Sequence, residues 1–279
     1  MSHFDDETRV SPLDPAPGGP QGDDGRRWQG QVSAAWNIGT NPNGGYLLAL
    51  AGAALQQATP GQPDPLSITA HYLRPGLGDQ PAELQVDLMR RGRTLSTARA
   101  RLLQDGQPRL ELLAAMGTLG PLGGAGAPQL TLPPPDLPPP DDCPGRSAPA
   151  QGVSLSILDR LDIRLHPQHA RAGEAGEARV SGWIRFRDGR DADPLACLLM
   201  ADAFPPAVFG LLGQVGWVPT VELTVHLRAR PAPGWLRAQF VAQDLADGRM
   251  IEDGALWDCT GRLVAQSRQL ALVRLPDSV

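Results

Sequence analysis

Asp202 is the residue of this chain whose placement most demands a chemical reason. Leu195, Leu198 and Leu199 define an apolar helical stripe, and Asp202 falls on the same stripe at i+7, i+4 and i+3. A carboxylate on a buried face costs several kcal/mol unless it is paired, or else it shifts its pKa toward values useful for general-base work. The competing reading is a carboxylate that caps a neighbouring loop, since Pro205-Pro206 should end or kink the helix nearby. Gly44-Gly45 is the second chemical feature. It follows Asn43, a candidate N-cap, and offers bare backbone N–H groups at a helix start, where a developing oxyanion would be held. Tight packing or turn geometry would explain the same two glycines.

Those features sit in two stretches that look like versions of one unit. The first runs from Gly44-Gly45 through an apolar helix into the strand at Ser67–Tyr72. The second runs from Pro194 through Asp202 into the strand at Thr220–Arg228. Only the second carries an acid: eight residues after Pro194 stands Asp202, and eight after Gly45 stands Ala53. Only the first has an open helix start, because Pro194 has no N–H to give. If one site needs a helix start from one unit and an acid from the other, Gly45 with Asp202 is complete and Pro194 with Ala53 is not.

Composition narrows the chemistry further. The net charge of -5 argues against a nucleic-acid or anionic-membrane surface. All the basic residues are Arg, so lysine Schiff bases and the P-loop lysine are excluded. Cys143, Cys197 and Cys259 form no C-x-x-C pair and no zinc-spaced cluster, so no metal site is expected. No run of apolar residues is long enough for a membrane span, and the polar, acidic start does not read as a signal peptide. A reduced, cytoplasmic protein is the expectation. There is no G-x-S-x-G elbow and no Cys beside a His, so a covalent intermediate is not expected.

The elements that must position these groups follow from periodicity and turn residues. Residues 1–25, rich in Pro, Gly and Asp, read as a mobile tail, and 121–152 as an extended, semi-rigid Pro-rich linker. Between them, 26–120 predicts a strand over 27–36, a buried helix from about residue 44, and strands near 66–74, 81–91, 93–104 and 108–118. Over 153–275 the order repeats, with strands near 160–166 and 177–187, a helix from Asp193 or Pro194, and strands near 220–228, 235–243, 249–258 and 263–273. Strict alternation over Thr220–Arg228 would put Thr220, Glu222, Thr224, His226 and Arg228 on one face. Gln269, among Ala265, Ser267 and Ala271, reads as a pocket wall or an edge contact. Strand, buried helix and antiparallel strands, twice over, predict an α+β double hotdog: two tandem units, each an antiparallel sheet wrapped around a central helix.

The motifs Gly44-Gly45, Tyr72-Leu73-Arg74-Pro75-Gly76 and Arg91-Gly92-Arg93-Thr94-Leu95-Ser96, together with Ala201-Asp202, Pro219–Glu222 and Leu263–Gln269, resemble the TesB-like acyl-CoA thioesterase II family. The family reads F-L-R-P-G and R-x-G-x-x-[FL]-S at the corresponding places. The resemblance covers about 28–119 and 158–273. It implies hydrolysis of fatty acyl-CoA to free acid and CoA, with no cofactor because CoA enters as part of the substrate. It places an Asp, a hydroxyl and an amide on Asp202, Thr220 and Gln269. The family strand reads T-I-D-H-S where this chain has Thr220-Val-Glu-Leu-Thr224, so Thr224 rivals Thr220, and Gln266 rivals Gln269. In the expected mechanism the Gly45 N–H polarises the thioester carbonyl and Asp202 deprotonates a water held with Thr220 and Gln269. Arg74, Arg91 and Arg93 are candidates for CoA phosphate contacts, and His226 for a pocket contact. The expected assembly is a homo-oligomer through sheet edges or faces. A non-catalytic acyl-CoA or acyl-carrier binding protein is the alternative. A dehydratase fits less well, since Ala207 stands five residues after Asp202, where its D-x-x-x-x-H arrangement needs His.

Overall fold

Asn43 starts the central helix of the first half: its side-chain oxygen accepts the Tyr46 N–H at 2.9 Å. In the computed structural model, which describes residues 2–13, 25–120, 130–147, 153–213 and 216–274, the first half runs α1 (His3–Glu7), β1 (Val10–Pro12), β2 (Arg26–Val32), a small hairpin β3 (Asn37–Ile38) and β4 (Asn41–Pro42), α2 (Gly44–Ala58), β5 (Asp64–Tyr72), β6 (Gln80–Arg91), β7 (Ser96–Gln104) and β8 (Gln107–Gly117). The second half runs β9 (Leu161–Leu165), β10 (Arg179–Phe186), α3 (Pro194–Met200), α4 (Phe209–Leu212), β11 (Thr220–Leu227), β12 (Leu236–Ala246), β13 (Arg249–Trp257) and β14 (Leu263–Leu272).

The strands form one antiparallel sheet in the order β1-β2-β6-β7-β8-β5-β11-β14-β13-β12-β10-β9. Each half contributes six of these strands in matching sequence, and β5 pairs with β11 at the seam. Thr69 lies directly opposite Thr224 there, with the two hydroxyls 2.9 Å apart. Glu222 faces His71 and His226 faces Ser67, so a pseudo-twofold axis passes through the threonine pair. The expected α+β double hotdog is therefore present, with its two sheets fused into one.

Both central helices lie beneath the sheet. Leu48, Leu50 and Leu55 of α2 are fully buried, each contributing about 1.5–3 kcal/mol of apolar burial. Two glycines let α2 approach α3. A Cβ on Gly45 would lie 2.7 Å from the Leu199 carbonyl oxygen, and one on Gly52 would lie 2.8 Å from Leu195 Cδ2.

Four expectations need correction. Helix α3 ends at Met200, so Asp202 stands just beyond the helix instead of on it, and its N–H donates to the Leu199 carbonyl at 3.1 Å. The strand expected over 27–36 stops at Val32, where Ser33 opens a 3-10 turn, Ala34–Trp36. The described part of the supposed mobile tail is docked: Phe4 of α1 is buried, β1 pairs with β2, and Glu7 accepts hydrogen bonds from Trp36 and Arg160. Residues 14–24 lie outside the described residues. The described part of the linker is not a free spacer. Its Leu132 and Pro138 carbonyls accept the indole N–H groups of Trp257 and Trp183, both at 2.8 Å. Pro144 and Arg146 then bond to Leu165 and Ile163 along β9. Residues 121–129 and 148–152 lie outside the described residues. Among the described residues no helix is long and apolar enough to cross a membrane.

Candidate active site

The N-terminus of α2 meets the end of α3 at a cavity of about 700 Å³. Asp202 is fixed there by donors from the other half of the chain. Its Oδ2 accepts the Gly45 N–H at 2.9 Å and Asn43 Nδ2 at 3.1 Å, and its own carbonyl accepts Asn43 Nδ2 at 2.8 Å. Asn43 thus caps α2 with its oxygen and holds the acid with its nitrogen. Burial pushes the Asp202 pKa up to about 6, and the hydrogen bonds from Gly45, Asn43 and Gln269 limit the rise. The other oxygen, Oδ1, faces Gln269 Nε2 at 3.4 Å.

Gln269 and Thr220 reach the same corner. Gln269 Nε2 donates to Thr220 Oγ1 at 2.5 Å. Strict alternation would have turned Thr220 to the outer face with Glu222 and Thr224. A β-bulge between Thr220 and Glu222 adds one residue and turns Thr220 inward, opposite the buried Ala271. Gln269, opposite the buried Leu223, is on that inner face without help. Thr224 stays on the outer face, donating to Glu222 at 2.5 Å, and His226 is exposed opposite Gln266; none of the three lines the cavity.

The arginines divide. Arg74 is exposed at the cavity rim and donates to the Pro108 carbonyl at 3.1 Å. Arg91 and Arg93 flank the β6–β7 turn, whose Gly92 carbonyl accepts Gln62 Nε2 just past the C-terminal end of α2. That is the far end of a fifteen-residue helix, roughly 22 Å from Gly44, so these two arginines are not brought to the cavity. The expected oxyanion role of Gly45 also meets a correction, because its N–H is already given to Asp202.

Three further groups line the cavity that the sequence did not single out. Glu252 is buried on β13, directly across from Gln269, and its Oε2 accepts the Ala207 N–H at 2.7 Å. Burial pushes its pKa up to about 7, with the charges of Asp202 and Asp253 adding to the rise. The signal was available, since Met250, Glu252 and Gly254 form one buried face of a strand. Arg146 comes from the Pro-rich segment and donates to the Ala203 carbonyl. Burial lowers its pKa to about 10, while the Asp202 charge opposes the fall. No periodicity marks it. Tyr72 ends β5, and its buried hydroxyl has no hydrogen-bond partner.

Leu165, Val180, Phe204, Phe209 and Phe240 make much of the remaining wall apolar, while Asn41, Ser147, His169, Arg171 and Arg179 also line the cavity. A pinned carboxylate, an amide and a hydroxyl at one end of an apolar chamber can orient and deprotonate a water beside an apolar substrate.

Residues 32–120 match the model for the acyl-CoA thioesterase N-terminal domain, and 140–273 match that for the acyl-CoA thioesterase C-terminal domain. The chain belongs to the acyl-CoA thioesterase family. An uncharacterised family relative from Mycobacterium tuberculosis is 32% identical over 285 residues, covering 95% of this chain and 96% of its own length. A solved structure of a candidate thioesterase II from Thermobifida fusca is 34% identical, with a TM-score of 0.81 and coverage of 99% of this chain and 98% of its own. A hot dog fold protein of unknown function from Alicyclobacillus acidocaldarius is 26% identical, with a TM-score of 0.81 and 99% of both chains covered.

Within the family frame, the duplication can be followed strand by strand. The bulge at Thr220/Glu222 has a counterpart at Pro65/Ser67. Pro65 therefore stands where Thr220 does, Ala114 where Gln269 does, and Ala98 where Glu252 does. Counted from the caps Asn43 and Asp193, the position of Asp202 is taken by Gly52, one residue before the expected Ala53. Asp202, Thr220, Gln269 and Glu252 of the first site thus have Gly52, Pro65, Ala114 and Ala98 as their counterparts, none of which carries a polar side chain.

Proposed function

We propose that this chain hydrolyses acyl-CoA thioesters at one composite site between its halves. The observation that carries the reading is the meeting of Asp202, Gln269 and Thr220 within hydrogen-bonding distance at the polar end of an apolar chamber. In this reading a water is held by Thr220 Oγ1, Gln269 and Asp202 Oδ1. Asp202, ionised above about pH 6, takes one of its protons as the oxygen adds to the thioester carbonyl. The C–S bond then breaks, the thiolate of CoA leaves with the proton returned by Asp202, and free acid remains. Gly45 and Asn43 position the base and leave Oδ1 for the water. No covalent intermediate is required.

The acyl chain enters the chamber along its apolar walls and CoA lies outward past the rim, where the exposed Arg74 and Arg171 are basic side chains at hand for a phosphate. Assembly, if it uses the sheet, falls to its outer face. Edge β9 is covered by residues 144–146, and edge β1 has three residues ending in Pro12. The test is CoA release, followed by a thiol reagent over a series of acyl chain lengths. Release that is lost in Asp202→Asn supports the reading. Tight binding of acyl-CoA with no release by the wild-type chain would instead make this a binding module.

A further inference from the structure

With the Gly45 N–H committed to Asp202, the carbonyl that water attacks needs another donor. The Asn43 amide nitrogen is also held by Asp202, and the Gln269 nitrogen is shared between Thr220 and Asp202. At this end of the cavity, among the described residues, the buried side-chain donor without a partner is the Tyr72 hydroxyl. Its ring packs on Gly44: a Cβ built there would come within 2.9 Å of Tyr72 Cε1 and 3.1 Å of Cζ. The same point lies 2.9 Å from Asp202 Oδ2, which keeps Cζ and that oxygen within about 6 Å of each other. Oδ1, on which the water is held, belongs to the same carboxylate, so a carbonyl attacked by that water comes near the Tyr72 hydroxyl. Burial, with the nearby charges of Asp202 and Glu222, raises the Tyr72 pKa well above its ordinary value, so the phenol keeps its proton and remains a donor.

We propose that the Tyr72 O–H donates to the thioester carbonyl oxygen of acyl-CoA and holds the oxyanion as water adds. This rests on the hydrolytic reading above. As the new C–O bond forms, the carbonyl π pair moves onto the oxygen that Tyr72 holds. The pair returns as the C–S bond breaks and the thiolate takes the proton that Asp202 removed. An orphaned hydroxyl is thus satisfied only when substrate is present, which favours folding least and catalysis most.

The test compares Tyr72→Phe with Tyr46→Phe and Asp202→Asn. Loss of one oxyanion donor should lower kcat by about 100-fold with KM nearly unchanged. Removing an unpartnered hydroxyl should not lower Tm. Tyr46→Phe should do the reverse, keeping kcat and lowering Tm, since the Tyr46 hydroxyl donates to the Glu7 carbonyl at 2.6 Å inside the core. A second readout uses non-hydrolysable acyl-CoA analogues. Tyr72→Phe should weaken binding of a ketone analogue about tenfold and leave a thioether, which has no carbonyl, unaffected. A Tyr72→Phe chain with wild-type kcat and ketone affinity, where Asp202→Asn is inactive, overturns this proposal and leaves the hydrolytic reading standing. A wild-type chain that releases no CoA at any chain length overturns both.

Discussion

Asp202→Asn should make the protein inactive and, above pH 6, more stable. The folded pKa of Asp202 is about 6 against an ordinary 3.8. Folding therefore favours the protonated acid. The stability that Asp202 allows is fully present below 3.8, falls as pH rises through about 6, and is constant beyond. A rise of that size is worth up to about 3 kcal/mol. Asp202 keeps some exposure to the cavity, and solvent there screens part of the cost, so about 1–3 kcal/mol is expected. Asparagine does not ionise, and its oxygen can still accept the Gly45 N–H. The variant should match the wild type near pH 4 and gain by about 1 kcal/mol per pH unit until near pH 6. Above that the gain is level, raising Tm by about 2–6 °C at pH 8. Urea unfolding of both chains from pH 4 to 8.5 measures the difference directly. A variant less stable than wild type at pH 8, or a gain that does not change between pH 4 and 8, would refute the view that Asp202 is held ionised at a cost to the fold.

Two more outcomes separate the polar groups. Thr220→Val should cut kcat by about 10–100-fold while Thr224→Val leaves it unchanged, because only Thr220 is turned to Gln269 by the bulge; equal losses in a CoA-release assay would contradict this. Glu252→Gln should leave the acid limb of the kcat/KM profile in place, since Glu252, raised to about 7 in part by the Asp202 charge, is still protonated where Asp202 ionises near pH 6. A limb that moves to lower pH would mean that Glu252 carries its charge before Asp202 does.

What was legible in the sequence was mostly what alternation and turn residues dictate. Asp105-Gly106 and Asp247-Gly248 both take positive φ at their two residues, the geometry that closes a two-residue hairpin, and the strands around them fall where the pattern puts them. Asp202 was legible as a buried acid because its spacing from Leu198 and Leu199 survives the end of the helix at Met200. The face of Thr220 was not, because one bulged residue reverses a period-2 pattern and leaves no mark in composition. The docking of α1 and of the Pro-rich segment was hidden for a related reason. Both are held by scattered long-range bonds, among them Glu7 to Trp36 and to Arg160, Leu132 to Trp257 and Pro138 to Trp183, which have no periodicity to read. The engagement of Gly45 by Asp202 was also out of reach, since spacing brings the two together but does not say which donor meets which acceptor.

A duplicated fold with a twofold axis through Thr69 and Thr224 could have kept two sites, and the second was lost in more than one place. At its helix start Asp193 accepts the Ala196 N–H at 2.8 Å and pairs with Arg190, whose guanidinium also meets Asp5 and lies 4.9 Å above the Phe4 ring. The N-terminal segment thus covers the end of α3 that corresponds to the open end of α2. Beneath it, Pro65, Ala114 and Ala98 offer no hydroxyl, amide or acid. Restoring a carboxylate alone should therefore do nothing. Placed in the inactive Asp202→Asn background, Ala53→Asp, beside the Gly52 position, should release no CoA above that background, because no group on the sheet can share a water with it. Ala53 is only partly buried, so the chain should still fold, which circular dichroism would check. Regained turnover in the folded double variant would mean that an acid beside a helix suffices, and that Thr220 and Gln269 are dispensable. Its absence, with Thr220→Val also impaired, would assign catalysis to the full polar set that only one half of the duplication retains.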